Sequence, residues 1–241
     1  MPGRVIKMLH KEISHKQFQI DSLDGLRGFA ALIVVLSHTS NSGMYFIPFL
    51  DLRGIGKSGV FLFFILSSFL LTLPLLDKGN KILTAPVMIH YWQRRFFRIY
   101  PLYILYLILG LMTTSVFSSF FGKTNFGIPF SLNFYDFIHH IFLLDGKGVT
   151  WSIAVEFKFY FILPFFALSI VYISSYGIGA TALFFLTSLI LSQIVFPESF
   201  SVSDDSRLLP YMPIFIIGMF LAYFQKIINE RVALKNYLKL Y

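Results

Sequence analysis

Arg27 and His38 form the first pair in this chain whose types and spacing could do chemistry. They sit in Leu23-Asp24-Gly25-Leu26-Arg27-Gly28-Phe29-Ala30-Ala31-Leu32-Ile33-Val34-Val35-Leu36-Ser37-His38, where an arginine opens an apolar run and a histidine lies inside it. On a helix the steps between them turn through about 1,100°, some 20° past three full turns, and rise about 16 Å. The two side chains would therefore share one face. A hydrocarbon core is about 30 Å thick, so a helix with Arg27 at one surface holds His38 near mid-depth. Ionisable groups there are costly and face a cavity or a partner. A neutral imidazole takes up a proton near pH 7, which suits a general base. The plain alternatives are a positive-inside anchor for Arg27 and a helix-bridging role for His38.

Two further clusters carry polar chemistry in apolar surroundings. Arg95 and Arg98, in Arg94-Arg95-Phe96-Phe97-Arg98-Ile99-Tyr100-Pro101, are neighbours if helical. Guanidinium forks bind phosphate well, although basic residues beside a span also set topology. Trp151-Ser152-Ile153-Ala154-Val155-Glu156 stands at the outer entry of another span. A carboxylate at that border orients an imidazole or accepts a substrate hydrogen bond. A capping Ser152 and an interfacial Trp151 are the alternative there. The adjacent His139 and His140 would diverge by about 100° on a helix. No third ligand is evident, so no metal site is expected. Phosphate-loop, dinucleotide-binding, zinc-protease and nucleophile-elbow motifs are absent from the sequence.

The elements that must position these residues are membrane helices. Of 241 residues 56% are hydrophobic and 13% charged, and thirty are Phe, far from the balance of a soluble domain. The apolar residues fall in long blocks, which predicts an all-α, polytopic transmembrane bundle. The net charge of +8 then speaks of topology rather than nucleic acid. The chain has no cysteine, which excludes disulfides, thiolate catalysis and cysteine-zinc sites.

Residues 1–22 read as a basic cytoplasmic arm with no cleaved signal peptide. The first helix is expected over about Leu26–Tyr45, capped by Ser22 or Asp24. Further spans are expected at Gly59–Leu76, about Ile99–Phe117 with Pro101 in its first turn, Phe157–Ile173, Ile178–Phe196 and Leu208–Ile228. Phe134–Leu144 is too short for an ordinary span and suits a re-entrant or interfacial piece. Six spans with the N-terminus inside leave thirteen Lys and Arg inside against five outside, in keeping with the positive-inside rule. The transmembrane domain is expected over 23–230, and 231–241 is a basic tail or the start of a further segment.

Taken together and in order, the motifs resemble those of the acyltransferase-3 family of membrane-bound O-acyltransferases. That family includes O-acetylases of lipopolysaccharide, peptidoglycan and exopolysaccharide. The matching residues are Leu23 to Gly28 followed by His38, Gly59-Val60-Phe61-Leu62-Phe63-Phe64-Ile65-Leu66-Ser67, and Arg95 to Pro101. Trp151 to Glu156 with Phe159-Tyr160 and Pro213-Ile214-Phe215-Ile216-Ile217-Gly218-Met219 complete the set. The likeness runs from about residue 20 to 225. Ser68 stands where the family usually has Gly, a change that bears on helix packing. Family members usually continue for several more spans, so the chain is expected to be C-terminally incomplete, with another protein as a possible source of the missing helices.

The resemblance implies transfer of an acyl group, usually acetyl from acetyl-CoA, to a carbohydrate hydroxyl, with no permanently bound cofactor. It implies a multi-pass protein of the bacterial inner membrane whose partners are acyl-CoA, a carbohydrate acceptor and lipid. In that chemistry His38 is the base, Arg27 its partner or a charge stabiliser, and Glu156 orients acceptor or histidine from the outer side. Arg95 and Arg98 hold CoA at the cytoplasmic mouth, and Trp151 and Ser152 join the substrate site. Two other readings stand beside it. Buried His, Arg and Glu serve proton relays in transporters or flippases of polar substrates, but the paired repeats common there are absent from the sequence. A non-catalytic, truncated family member is the third.

Overall fold

The computed structural model describes residues 2–45, 51–121, 134–146, 148–197 and 206–238. All the regular structure among them is helical: α1 (Pro2–Asn41), α2 (Gly56–Leu76), α3 (Ala85–Phe121), α4 (Phe134–Ile141), α5 (Trp151–Ser174), α6 (Ile178–Val195) and α7 (Met212–Leu238), with three short 3-10 turns. Five segments are long and apolar enough to cross a membrane, within α2, α3, α5, α6 and α7. The protein is a multi-pass helical membrane protein. Of the expected tail, residues 239–241 lie outside the described residues. The chain forms two compact units, 1–67 and 68–241.

In the first unit α1 begins well before the expected cap at Ser22 or Asp24 and runs unbroken from Pro2. Pro2 suits a first helical position, and between Gly3 and Gly25 there is neither glycine nor proline to interrupt the turns. The helix also stops before Tyr45. Gly43 takes φ +81°, its N–H donates to Ser40 O at 3.0 Å, and Met44 N–H donates to Thr39 O at 2.9 Å. This left-handed closure needs a residue without Cβ strain. His38 therefore lies in the last turn of α1, and Asn41 follows Arg27 by only about 21 Å along the axis.

Gly59 sets how closely α1 and α2 pack. A Cβ built on it would stand 2.7 Å from Ala30 O and 2.8 Å from Val34 Cγ2. A small residue is what lets two helix backbones approach in lipid. Gly59→Ala is accordingly expected to lower the stability of the purified protein by about 1–3 kcal/mol. Thermal unfolding in detergent checks this, and an unchanged transition would remove the close-approach argument.

The second unit is built around α5, where Ala154, Val155, Phe159, Leu163, Ala167 and Ile170 are all inaccessible while Phe161, Phe165 and Tyr172 face outward. So wide a buried face marks the helix against which its neighbours pack. Phe159 stacks on Phe215 of α7 with ring centroids 3.9 Å apart. Pro213 lies in the first turn of α7, where a missing N–H costs little. α4 is eight residues long, about 12 Å, so it does not cross a bilayer. The turn that closes it holds Leu143, whose φ of +56° is uncommon for a branched side chain. Leu143 N–H donates to His140 O and Leu144 N–H to His139 O, closing the helix by the same 6→1 pattern as α1.

One end of this unit gathers the end of α2, the α5–α6 junction and the second half of α7. Lys226 Nζ donates to Leu76 O at 2.7 Å and lies 3.8 Å from Asp77. A cation on the last carbonyls of α2 also faces the negative end of its dipole. Gly79, Gly177, Tyr223 and Arg231 line the same concavity. These ends meet as the alternating direction of the expected spans requires.

Candidate functional site

Arg27 and His38 fall on one face of α1, as their spacing demands. Going by about 100° per residue, that face lies roughly a quarter turn from the stripe Ala30, Ile33, Val34 and Ser37, which packs toward Gly59 and Gly56. His38 is exposed. Arg27 is 28% exposed and its Nη1 donates to Asp24 Oδ1 at 3.3 Å, one turn toward the N-terminus. Asp24 belongs to the same motif, where the sequence suggests only a cap. The pair at i and i+3 could have been read from its spacing.

In the second unit the structure revises the helical setting of the other residues. α3 begins at Ala85, fourteen residues before the expected start of its span, so Arg94, Arg95 and Arg98 lie inside a continuous helix. Pro101, expected in a first turn, is interior, and Phe97 O loses its usual helical donor. The helix starts early because residues 85–100 contain no breaker after Pro86, and a proline tolerates the first turn of a helix. Trp92 then packs on Phe161 of α5, centroids 4.2 Å apart, and Tyr100 lies 6.1 Å from Phe157.

Arg95 of α3 and Glu156 of α5 each lie one turn from the contact that Tyr91 makes with Tyr160. From the sequence they are expected at opposite mouths. Tyr91 Oη donates to Tyr160 O at 3.1 Å, and Tyr160 Oη donates to Glu156 Oε1 at 2.7 Å. Both Arg95 and Glu156 lie within electrostatic reach of the Tyr91 hydroxyl. Arg95 and Glu156 are each partly exposed, and Arg98 is exposed. Among the described residues the guanidinium groups of Arg95 and Arg98 take no salt-bridge partner. A carboxylate, a phenol hydrogen-bonded to it and a neighbouring guanidinium make a polar cluster that can bind or orient a polar ligand.

Trp151 and Ser152 sit one turn before Glu156. Trp151 is buried and stacks on Tyr211 at 5.1 Å. Ser152 Oγ donates to Val149 O at 3.3 Å. Lys158 went unremarked in the sequence, although a lysine early in an apolar span is itself a signal. Its Nζ donates to Ser206 O at 2.7 Å and Leu144 O at 3.4 Å. It also lines a cavity of about 650 Å³ with Trp92, Phe96, Tyr100, Leu143 and Phe161. Tyr100 and Tyr103 tie α3 to α4 by donating to the carbonyls of Ile141 and His140. His140 is buried, with Nδ1 2.7 Å from Asp136 O. Among the described residues no three His, Cys, Asp or Glu group as a metal site.

A family model described as an acyltransferase domain matches residues 20–240, nearly the whole chain. The chain belongs to the acyltransferase-3 family. Within the family it is 28% identical over 160 residues to the peptidoglycan O-acetyltransferase OatA of Listeria monocytogenes, covering 62% of this chain and 24% of that protein. It is 29% identical over 174 residues to the acyltransferase MdmB of Streptomyces mycarofaciens, covering 68% of this chain and 40% of the relative. Its identity to YrhL of Bacillus subtilis is 30% over 177 residues, 69% of this chain and 26% of that one. The chain thus spans about a quarter to two fifths of the length of these relatives. No solved structure matches it. The acyltransferase-3 motifs fall on α1, α2, α3, α5 and α7, and the Arg95 and Glu156 motifs meet around Tyr91 and Tyr160.

Proposed function

We propose that the protein transfers an acyl group, acetyl in the first instance, from acyl-CoA to a hydroxyl of a cell-envelope or secreted carbohydrate. Family membership and the name of OatA support this class of reaction. A sugar hydroxyl is a poor nucleophile near neutral pH. His38 takes its proton as the oxygen attacks the thioester carbonyl, and Arg27 stabilises the charge that develops. The new C–O bond forms, the C–S bond breaks, and the proton held by His38 passes to the departing CoA thiolate. Arg95 and Arg98 hold CoA phosphates, as planar donors do. Glu156 orients the acceptor, with Trp151 and Ser152 beside it.

The observation that carries the substrate reading is the polar cluster of Arg95, Tyr91, Tyr160 and Glu156 within apolar spans. Ionisable groups at such sites are retained for function. Lys226 and Arg231 gather at one end of the second unit with the turn bearing Lys78 and Lys81, which supports a cytoplasmic placement of that end and an inner-membrane protein with its N-terminus inside. Mass spectrometry of envelope glycans from cells with and without the gene tests the reaction. The expected result is an acetyl increment lost with the gene and regained on complementation. Identical glycan spectra would reject envelope carbohydrate as the acceptor.

A further inference from the structure

Pro164 lies inside α5, four residues after Tyr160. A proline has no N–H, so the helix offers no donor from position 164 to the carbonyl of Tyr160. That carbonyl is met from another helix: Tyr91 of α3 donates to it at 3.1 Å. The bond is deeply placed, with Tyr91 8% and Tyr160 1% exposed. A buried backbone carbonyl without a donor costs about as much as a lost hydrogen bond, so the pairing is favoured at the one position on α5 that a proline has vacated. This hydrogen bond joins α3 to α5, and Tyr100 and Tyr103 hold α3 to α4.

The consequence is one of register. Arg95 lies one turn beyond Tyr91 on the same face of α3, and Glu156 one turn before Tyr160 on the same face of α5. Where Tyr91 meets Tyr160, Tyr100 meets Phe157, so the two helices run in opposite senses here. Advancing one turn along α3 and retreating one turn along α5 brings Arg95 toward Glu156. Sliding α3 by a turn would move Arg95 about 5.4 Å from that level. Apolar neighbours such as Trp92 and Phe161 do not fix such a slide by themselves, because aromatic packing lacks the directionality of a hydrogen bond.

We propose that Tyr91 is a positioning residue: its hydrogen bond to the carbonyl freed by Pro164 locks the register of α3 on α5 and so sets Arg95 against Glu156. The inference rests on the assignment of Arg95 and Glu156 to the substrate site, and it can be separated from that assignment by experiment.

The test uses the full chain in membranes, with radiolabelled acetyl-CoA as donor and envelope glycan as acceptor, normalised to folded protein. Tyr91→Phe is expected to lower turnover on the order of tenfold to a hundredfold, the range for a small misplacement of site groups. Adding Pro164→Ala gives the Tyr160 carbonyl an N–H from its own helix. Unfolding temperature should then return toward that of the unaltered protein while turnover stays low, because nothing ties α3 to that carbonyl. A structural readout runs in parallel. The chain has two tryptophans, so Trp151→Phe leaves Trp92 to report the α3–α5 contact. Its emission should shift in Tyr91→Phe and stay shifted in the double variant. Turnover recovering together with stability would overturn the proposal and leave Tyr91 as a filler of a hydrogen bond. Unchanged turnover or unchanged Trp92 emission in Tyr91→Phe would overturn it as well. Should Tyr91→Phe alone fail to fold, the double variant, whose carbonyl is satisfied, carries the same comparison. If Glu156→Gln keeps full turnover, the carboxylate assignment fails, and Trp92 emission still decides whether the lock exists.

Discussion

His38→Ala should stop acyl transfer while leaving the protein folded in the membrane. Loss of a positioned base costs about 10²- to 10⁴-fold in rate. The location of the residue makes the experiment clean. His38 stands in the last turn of α1 and is exposed, whereas the face that packs toward α2 carries Ala30, Val34 and Ser37. Removing an exposed imidazole leaves no cavity, so stability should change by less than about 0.5 kcal/mol. A loss of activity at unchanged unfolding temperature would then be chemical. Acylation that persists in His38→Ala would refute the base assignment, and the reaction would need another proton acceptor. A loss accompanied by poor membrane recovery would point instead to a structural role for the ring.

Glu156→Gln should lower acyl transfer on the order of 10²-fold with the fold intact. The amide keeps the size of the side chain and an oxygen that accepts from Tyr160, so the 2.7 Å contact survives. What disappears is the charge. Glu156→Asp makes the opposite change: it keeps the charge but draws it back by one methylene from the Tyr160 hydroxyl. A charge-dependent role predicts that Asp retains more activity than Gln. Turnover measured at saturating acetyl-CoA in both variants separates the two. Equal, full activity in both would leave Glu156 as a structural partner of Tyr160 and nothing more.

Much of the site was legible because helical spacing is a local property. The shared face of Arg27 and His38 follows from 3.6 residues per turn. So do the neighbouring positions of Arg95 and Arg98, and α4 emerges as a piece too short to span. Boundaries were harder. The start of α1 at Pro2 and of α3 at Ala85 exceeds what the apolar runs suggest, because a helix continues through polar residues wherever no breaker stops it. The Schellman closure at Gly43 was available in the sequence as a glycine after a polar turn, yet the polar cluster before it drew the reading onward to Tyr45. Glu156, Tyr160 and Pro164 recur every four residues on α5, a pattern whose meaning stays hidden until a second helix is beside it.

Taken alone, the chain of residues determined that this is a helical membrane protein of the acyltransferase-3 family and which polar side chains stand out against lipid. Hydropathy and motif order are sums over local identity, and they need no coordinates. Only the tertiary structure decided that Tyr91 answers the carbonyl Pro164 leaves open and that Tyr160 holds Glu156. It also decided that Trp151 is buried and stacks on Tyr211. Those facts depend on the axial offset between helices distant in sequence. That offset is set by interlocking side chains and by directional hydrogen bonds such as that of Tyr91, neither of which leaves a periodic trace in one strand of letters.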